Sequence, residues 1–263
     1  MAPWDNQRQA SLGNQQVRGR HNRIRSKGGK GGRVWRPGDL VNTGWGFTPA
    51  AQNTQTQGLG FPLRLYSYVV RWDHGFAPNP FYSTCTLATC KPNIRISACI
   101  GDLILGTGSA ARNLAGHAVF LMRVDKIISF DEYWNDPQYA RRIPVMNGSL
   151  QQRFGDNIYH RANGNWVQAD SRHTRTNAKP NVQNLKRDTA KTDRVLVGTE
   201  FVYWGGDGPV IPKSLSKFVH KSPGHRGFFS TEDIVRFLAW MGKFEGKGMI
   251  GDPVEWRYEK YWR

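Results

Sequence analysis

From residue 65 to residue 204 the chain reads as short runs of β-branched and aromatic residues, cut by Gly and Pro, with no long helical pattern between one run and the next. Parallel strands need a crossover of a dozen residues or more, usually a helix. A doubly wound parallel sheet is therefore disfavoured. Strands are predicted at 65–71, at 102–105 between glycines, at 118–128 and at 194–204, the last closed by Gly205-Gly206-Asp207-Gly208-Pro209. Ser129-Phe130-Asp131-Glu132 fits a capping box and predicts a short helix that stops near Pro137. Ile234, Phe237, Leu238 and Met241 fall at helical spacing after Ser230 and mark the clearest helix. Residues 171–194 are polar and read as a loop or excursion. The expected fold is α+β: a mainly antiparallel curved sheet or small barrel with a few peripheral helices.

Residues 1–62 differ from the rest. Their cations are Arg8, Arg18, Arg20, Arg23, Arg25, Lys27, Lys30, Arg33 and Arg36, against the acids Asp5 and Asp39. With Lys27-Gly28-Gly29-Lys30-Gly31-Gly32 inside it, this stretch reads as a disordered basic arm, and residues 63–263 as a single domain. The arm either adds nonspecific affinity for phosphates or is a dispensable extension. The whole chain carries a formal charge of +17, which favours polyanionic partners, nucleic acid or nucleotides first. No apolar run reaches the length of a membrane span, and no basic amphipathic helix is evident to lie on a membrane. Three cysteines, Cys85, Cys90 and Cys99, with no secretory signal, point to a reducing, cytoplasmic setting.

Five segments carry candidate chemistry. In Asp73-His74-Gly75-Phe76-Ala77-Pro78-Asn79-Pro80-Phe81 the two prolines stiffen the backbone. Asp73, His74 and Asn79 suit the polar edges of a planar ring, and Trp72, Phe76, Phe81 or Trp204 its faces. The same loop also reads as a Pro-rich structural turn. Cys90-Lys91-Pro92 sets a lysine beside a thiol, an arrangement that activates a nucleophile. A free Cys is more often a small buried hydrophobe, and Lys91 reads as a ligand contact. With no CxxC pair, no metal site is expected. Gly106-Thr107-Gly108-Ser109 resembles an anion-binding turn but lacks the ending of a P-loop, and Ser109 is its candidate contact. Asp170 and His173 stand at the spacing of an acid–base pair, or of a solvated turn; a metal held by them would need a distant third ligand. His225 and Arg226, just before the last helix, together with Arg95 and Arg112, are candidate phosphate contacts. Whether a cofactor takes part is left open by the sequence.

Taken together, Tyr68-Val69-Val70-Arg71, the 73–81 loop, Cys85-Thr86-Leu87-Ala88-Thr89-Cys90-Lys91-Pro92-Asn93-Ile94-Arg95 and Gly101-Asp102 resemble the nucleotide modification associated domain 2 family. Gly155-Asp156-Asn157-Ile158-Tyr159, Trp166-Val167-Gln168-Ala169-Asp170-Ser171 and Phe201-Val202-Tyr203-Trp204-Gly205-Gly206 extend the likeness over about residues 63 to 255. The resemblance implies a phage or bacterial system that makes or handles modified DNA bases, with other base-modification proteins as possible partners. It implies a pathway, not a reaction. A weaker likeness, in the order Gly101-Asp102, strand, Gly/Ser turn, long strand and Tyr133-Trp134, is to PUA-like barrels such as EVE domains. Several of these hold a modified base in an aromatic pocket. The expected protein binds or processes a modified base or nucleotide. The alternatives are an enzyme on a base precursor, using Cys90 or the Asp170/His173 pair, and a sequence-blind nucleic-acid or assembly protein.

Overall fold

A computed structural model describes residues 63–258, and the basic arm lies outside them. Ten strands and five α-helices follow in chain order: β1 (Leu65–Val70), β2 (Cys85–Leu87), α1 (Pro92–Ser97), β3 (Leu103–Gly108), β4 (Ala118–Arg123), β5 (Lys126–Ser129), α2 (Phe130–Asn135), α3 (Leu150–Arg153), β6 (Tyr159–Ala162), β7 (Asn165–Gln168), α4 (Val182–Thr189), β8 (Arg194–Gly198), β9 (Phe201–Tyr203), α5 (Thr231–Met241) and β10 (Gly248–Met249). They form a five-stranded sheet, β1-β3-β4-β9-β10, a three-stranded sheet, β2-β8-β5, and the hairpin β6-β7. Only β1–β3 and β9–β10 pair in parallel among these strands. The fold is mixed α+β and mainly antiparallel, as expected. The sheets stay open, however, and the described strands do not close into a barrel.

Alternation along the strands sets the layers. Leu65, Leu103, Leu105, Leu121 and Val202 face α5 and pack on its Ile234, Phe237, Leu238 and Met241. Tyr66, Tyr68, Ile104, Phe120 and Met122 point the other way, toward Leu87 and Leu196 of the smaller sheet and Ile94 of α1. A third cluster joins the 73–81 loop to that sheet through Phe76, Phe81, Phe130, Tyr133, Tyr159, Val195 and Val197.

Two predicted strands divide. The run 118–128 becomes β4 and β5 in different sheets, and 194–204 becomes β8 and β9, again in different sheets. The chain crosses over at Val124-Asp125 and at Thr199-Glu200, and Asp125 ties the two crossings by accepting from the Thr199 hydroxyl at 2.7 Å. Polar residues mark both corners, Arg123, Asp125 and Lys126 in the first run and Gly198, Thr199 and Glu200 in the second, but local residues do not show that the chain leaves one sheet for the other. The capping box at Ser129 is present, with Glu132 reaching back to the Ser129 amide at 2.6 Å. The excursion 171–194 is not all loop. It contains α4, capped by Asn181, whose side chain accepts from the Gln183 and Asn184 amides.

One buried cation holds the 73–81 loop. Arg142, 1% exposed, donates from Nη1 to Asn79 Oδ1 at 2.6 Å and Thr86 Oγ1 at 2.9 Å, and from Nη2 to the carbonyls of Phe81 and Thr84. Asp156 lies 3.8 Å away and accepts from Thr86 Oγ1 at 2.6 Å and Tyr133 OH at 2.7 Å. Burial still pushes the Asp156 carboxyl above its usual range, since at 3.8 Å the guanidinium compensates it only in part.

Asp73 gives a pH prediction. It is buried and accepts from Tyr203 OH at 2.5 Å and from the amides of Gly75 and Val254, both at 3.3 Å. Burial outweighs these bonds and raises its carboxyl to about 6. A carboxyl raised in the folded state contributes fully below the unfolded value near 3.9, and that contribution is lost as pH rises toward 6. The loss is roughly 3 kcal/mol. Urea unfolding at pH 4 and pH 7 should therefore show a smaller pH-dependent loss in Asp73→Asn than in the parent. Equal losses in the two proteins would remove this assignment.

Candidate functional site

The turn between β2 and α1 departs from ordinary backbone. Cys90 has φ 56° and Lys91 φ 42°, two consecutive side-chain-bearing residues in the left-handed region. Each such residue costs about 1–2 kcal/mol, so the surroundings must hold them. They do so from two sides. The Cys90 amide donates to Asp188 Oδ1 at 2.9 Å. Arg95, fully buried, donates Nε to the Cys90 carbonyl at 2.9 Å, Nη1 to the Arg194 carbonyl at 2.8 Å, and Nη2 to the Asp188 carbonyl. Pro92 opens α1, where its missing N–H is no loss.

The Cys90 thiol meets an imidazole. Its Sγ lies 3.7 Å from His173 Nε2. The other ring nitrogen, Nδ1, lies 3.1 Å from Asp188 Oδ2. Asp188 is fully buried and also accepts from Tyr159 OH at 3.0 Å and from Arg187 Nε at 2.8 Å and Nη2 at 2.9 Å. The His173 carbonyl accepts from Gln168 at 3.1 Å and Asn184 at 2.9 Å, and the Phe76 ring meets the imidazole edge-on at 4.6 Å. The thiol thus comes from the β2–α1 turn, the imidazole from the polar excursion, and the carboxylate from α4.

The electrostatics follow the geometry. Burial opposes ionisation of the Cys90 thiol, but the hydrogen bond and charge of His173 outweigh it and hold the thiol below its usual range. Burial likewise opposes the imidazolium, and the bonds to Asp188 and Cys90 reverse this and raise His173. Asp188 is held well below the carboxylate range: burial acts against it, and the bonds from His173 and Arg187 prevail. Thiol, imidazole and carboxylate in line, each biased toward its charged form, are the elements of nucleophilic catalysis at sulfur.

The other sequence candidates lie apart from this line or are engaged internally. Asp170 is exposed and accepts from Thr174 Oγ1 at 2.6 Å, so it caps its own turn, and His173 pairs with Asp188 instead. Asp73 and Asn79 turn inward and hold loop backbone. His74 is buried against Phe154 at 4.9 Å, and burial with nearby Arg172 and Arg112 lowers it to about 3. Phe81 is buried against Trp256, and Trp204 lies in the core with α5. Arg95 was expected on a phosphate, but its guanidinium is enclosed and bonded to three carbonyls. Arg112 makes a bidentate pair with Glu255 at 2.8 and 2.7 Å and lies 4.8 Å from the Trp72 ring, which is itself about half exposed. Ser109 caps a short 3-10 turn. Arg226 donates to the Lys217 carbonyl at 3.0 Å, and the His225 ring lies 5.9 Å from Tyr66. A small cleft lined by Arg71, Asp73, Gly108, Ser109, Arg112 and Glu255 gathers several of these residues, separately from the thiol.

Asp188 was missed by the sequence reading. Its signals were the Asn181 cap and Leu185 within a helix of only eight residues. Among the described residues no group of three or more His, Cys, Asp or Glu side chains is arranged to hold a metal ion, and no helix is long and apolar enough to cross a membrane.

No curated protein and no solved structure matches the chain. The model of one family, nucleotide modification associated domain 2, matches residues 63–260, which include β1, the 73–81 loop, Cys90, His173 and Asp188. With its whole described body inside that match, the chain belongs to the nucleotide modification associated domain 2 family.

Proposed function

We propose that this protein is a thiol enzyme acting on a base or nucleotide within a nucleotide-modification system. Cys90 is the nucleophile, His173 the general base and then acid, and Asp188 the group that orients and charges the imidazole. The observation carrying this reading is the line from Cys90 Sγ through His173 to Asp188 Oδ2, at 3.7 and 3.1 Å. In the reaction so assigned, sulfur bonds to an electrophilic carbon of the substrate as the bond to the leaving group breaks. The thiol proton passes through His173 to that group. Water or an acceptor amine, deprotonated by His173, then releases the product and restores the thiol. The family supports a nucleotide-related substrate. So does the rim of the excursion, where Arg172, Arg175, Lys179, Lys186 and Lys191 are exposed.

The test is a nucleoside mass profile of DNA from the source system carrying the parent, Cys90→Ala, His173→Ala or Asp170→Ala, with a deletion for comparison. The first two variants should reproduce the deletion profile, and Asp170→Ala should leave the parental one. A Cys90→Ala profile identical to the parent, with the deletion altered, would sink the nucleophile. A modified base unchanged even in the deletion would favour a reader acting after modification.

A further inference from the structure

We infer that Lys91 seats a negatively charged group of the substrate, a nucleotide phosphate, beside the Cys90 thiol; this rests on the reading of Cys90 as nucleophile. Lys91 belongs to the same left-handed turn as the thiol, so one rigid piece of backbone aims both side chains. Its ammonium lies 4.4 Å from the centroid of the Tyr68 ring, which is buried, and Lys91 itself is half-buried. Burial lowers the ammonium below its usual range, and the nearby Cys90 charge opposes this.

The neighbouring cations have internal partners. Arg187 is paired with Asp188, and Arg95 is bonded to three carbonyls. Among the described residues no carboxylate pairs with Lys91. A half-desolvated cation that rests on an aromatic face and has no carboxylate partner recovers only part of its hydration. An arriving anion would recover the rest, and its attraction is stronger there than in open water. Activation of Cys90 alone would also place a lysine here, so the experiment must separate charge recognition from thiol activation.

Two alkylating reagents make that separation in the full-length protein. Iodoacetamide is neutral and iodoacetate is its anionic counterpart. Both report thiolate reactivity, so their rate ratio at Cys90 cancels it and leaves charge preference. Peptide mass spectrometry follows Cys90, with exposed Cys99 as internal reference. Lys91→Met keeps the length of the stem and its contact with Tyr68. It should lower the iodoacetate-to-iodoacetamide ratio at Cys90 about five- to tenfold, and Lys91→Arg should retain the parental ratio. Deoxyadenosine monophosphate should protect Cys90 from iodoacetamide better than deoxyadenosine does, and that excess should vanish in Lys91→Met. A ratio unmoved by Lys91→Met, or equal protection by nucleotide and nucleoside, would overturn the assignment. Slow labelling of Cys90 by both reagents at pH 6.5, no faster than Cys99, would instead overturn the nucleophile on which it rests.

Discussion

Asp188→Asn should strip Cys90 of its reactivity while leaving the protein folded. The amide keeps an acceptor for the Cys90 N–H, and Arg187, whose side chain is 42% exposed, can turn to water. The charge that holds the imidazolium is lost. His173 then falls back, and the thiolate loses its partner. Iodoacetamide labelling of Cys90 at pH 6.5 should slow about tenfold or more, since each pKa unit is tenfold in thiolate. Turnover on the natural substrate should fall on the order of 10²–10⁴, the scale seen when an orienting carboxylate is neutralised. The sign can be checked against pH. A thiol depressed in the folded state contributes stability above its unfolded pKa, near 8.5, and loses that contribution as pH falls through the folded value. An imidazole raised in the folded state contributes below its unfolded pKa, near 6.5, and loses that contribution as pH rises through the folded value. Labelling of Cys90 in the parent should accordingly set in at lower pH than labelling of Cys99, and in Asp188→Asn the onset should move up. An unmoved onset would mean that Asp188 braces the turn without charging the site.

Arg142→Met should be the most destabilising single change among the contacts that hold the 73–81 loop. It removes the donor from Asn79 Oδ1, Thr86 Oγ1 and two carbonyls, and leaves Asp156 buried with no neighbouring guanidinium. Breaking a buried pair from one side costs about 3–5 kcal/mol, a large part of the total stability of an ordinary domain. Urea unfolding measures it directly. Adding Asp156→Asn should return part of the loss, because the stranded charge goes with it. A double variant no more stable than Arg142→Met would show that the orphaned carbonyls, not the buried carboxylate, dominate the cost.

Local signals were legible where a few adjacent residues decide the outcome. The Ser129 capping box and the apolar stripe of α5 could be read directly, because each rests on residues within two turns of one another. Corners were only partly legible: Arg123, Asp125 and Lys126, and Gly198, Thr199 and Glu200, interrupt the two apolar runs, but only pairing partners far along the chain assign the halves to different sheets. At the site, Cys90 and His173 stood out by residue type, and the structure brings them to 3.7 Å. Their third member did not. Asp170 is three residues from His173 and was the natural partner by spacing, but helix α4 folds back and presents Asp188 from fifteen residues further on. Arg95 reads from its sequence as a phosphate contact, and Arg142 carries no signal at all. Nothing in a sequence marks a guanidinium that will be enclosed by carbonyls, because those carbonyls belong to backbone brought in from elsewhere.

The bonds from Arg95 to the carbonyls of both Cys90 and Asp188, with that of the Cys90 amide to Asp188, fasten two distant stretches of chain into one unit. The thiol turn and the excursion cannot part without releasing all three at once. In hydrogen exchange the Cys90 amide should then act as a clock for the opening of the whole excursion, exchanging only when α4 lifts away.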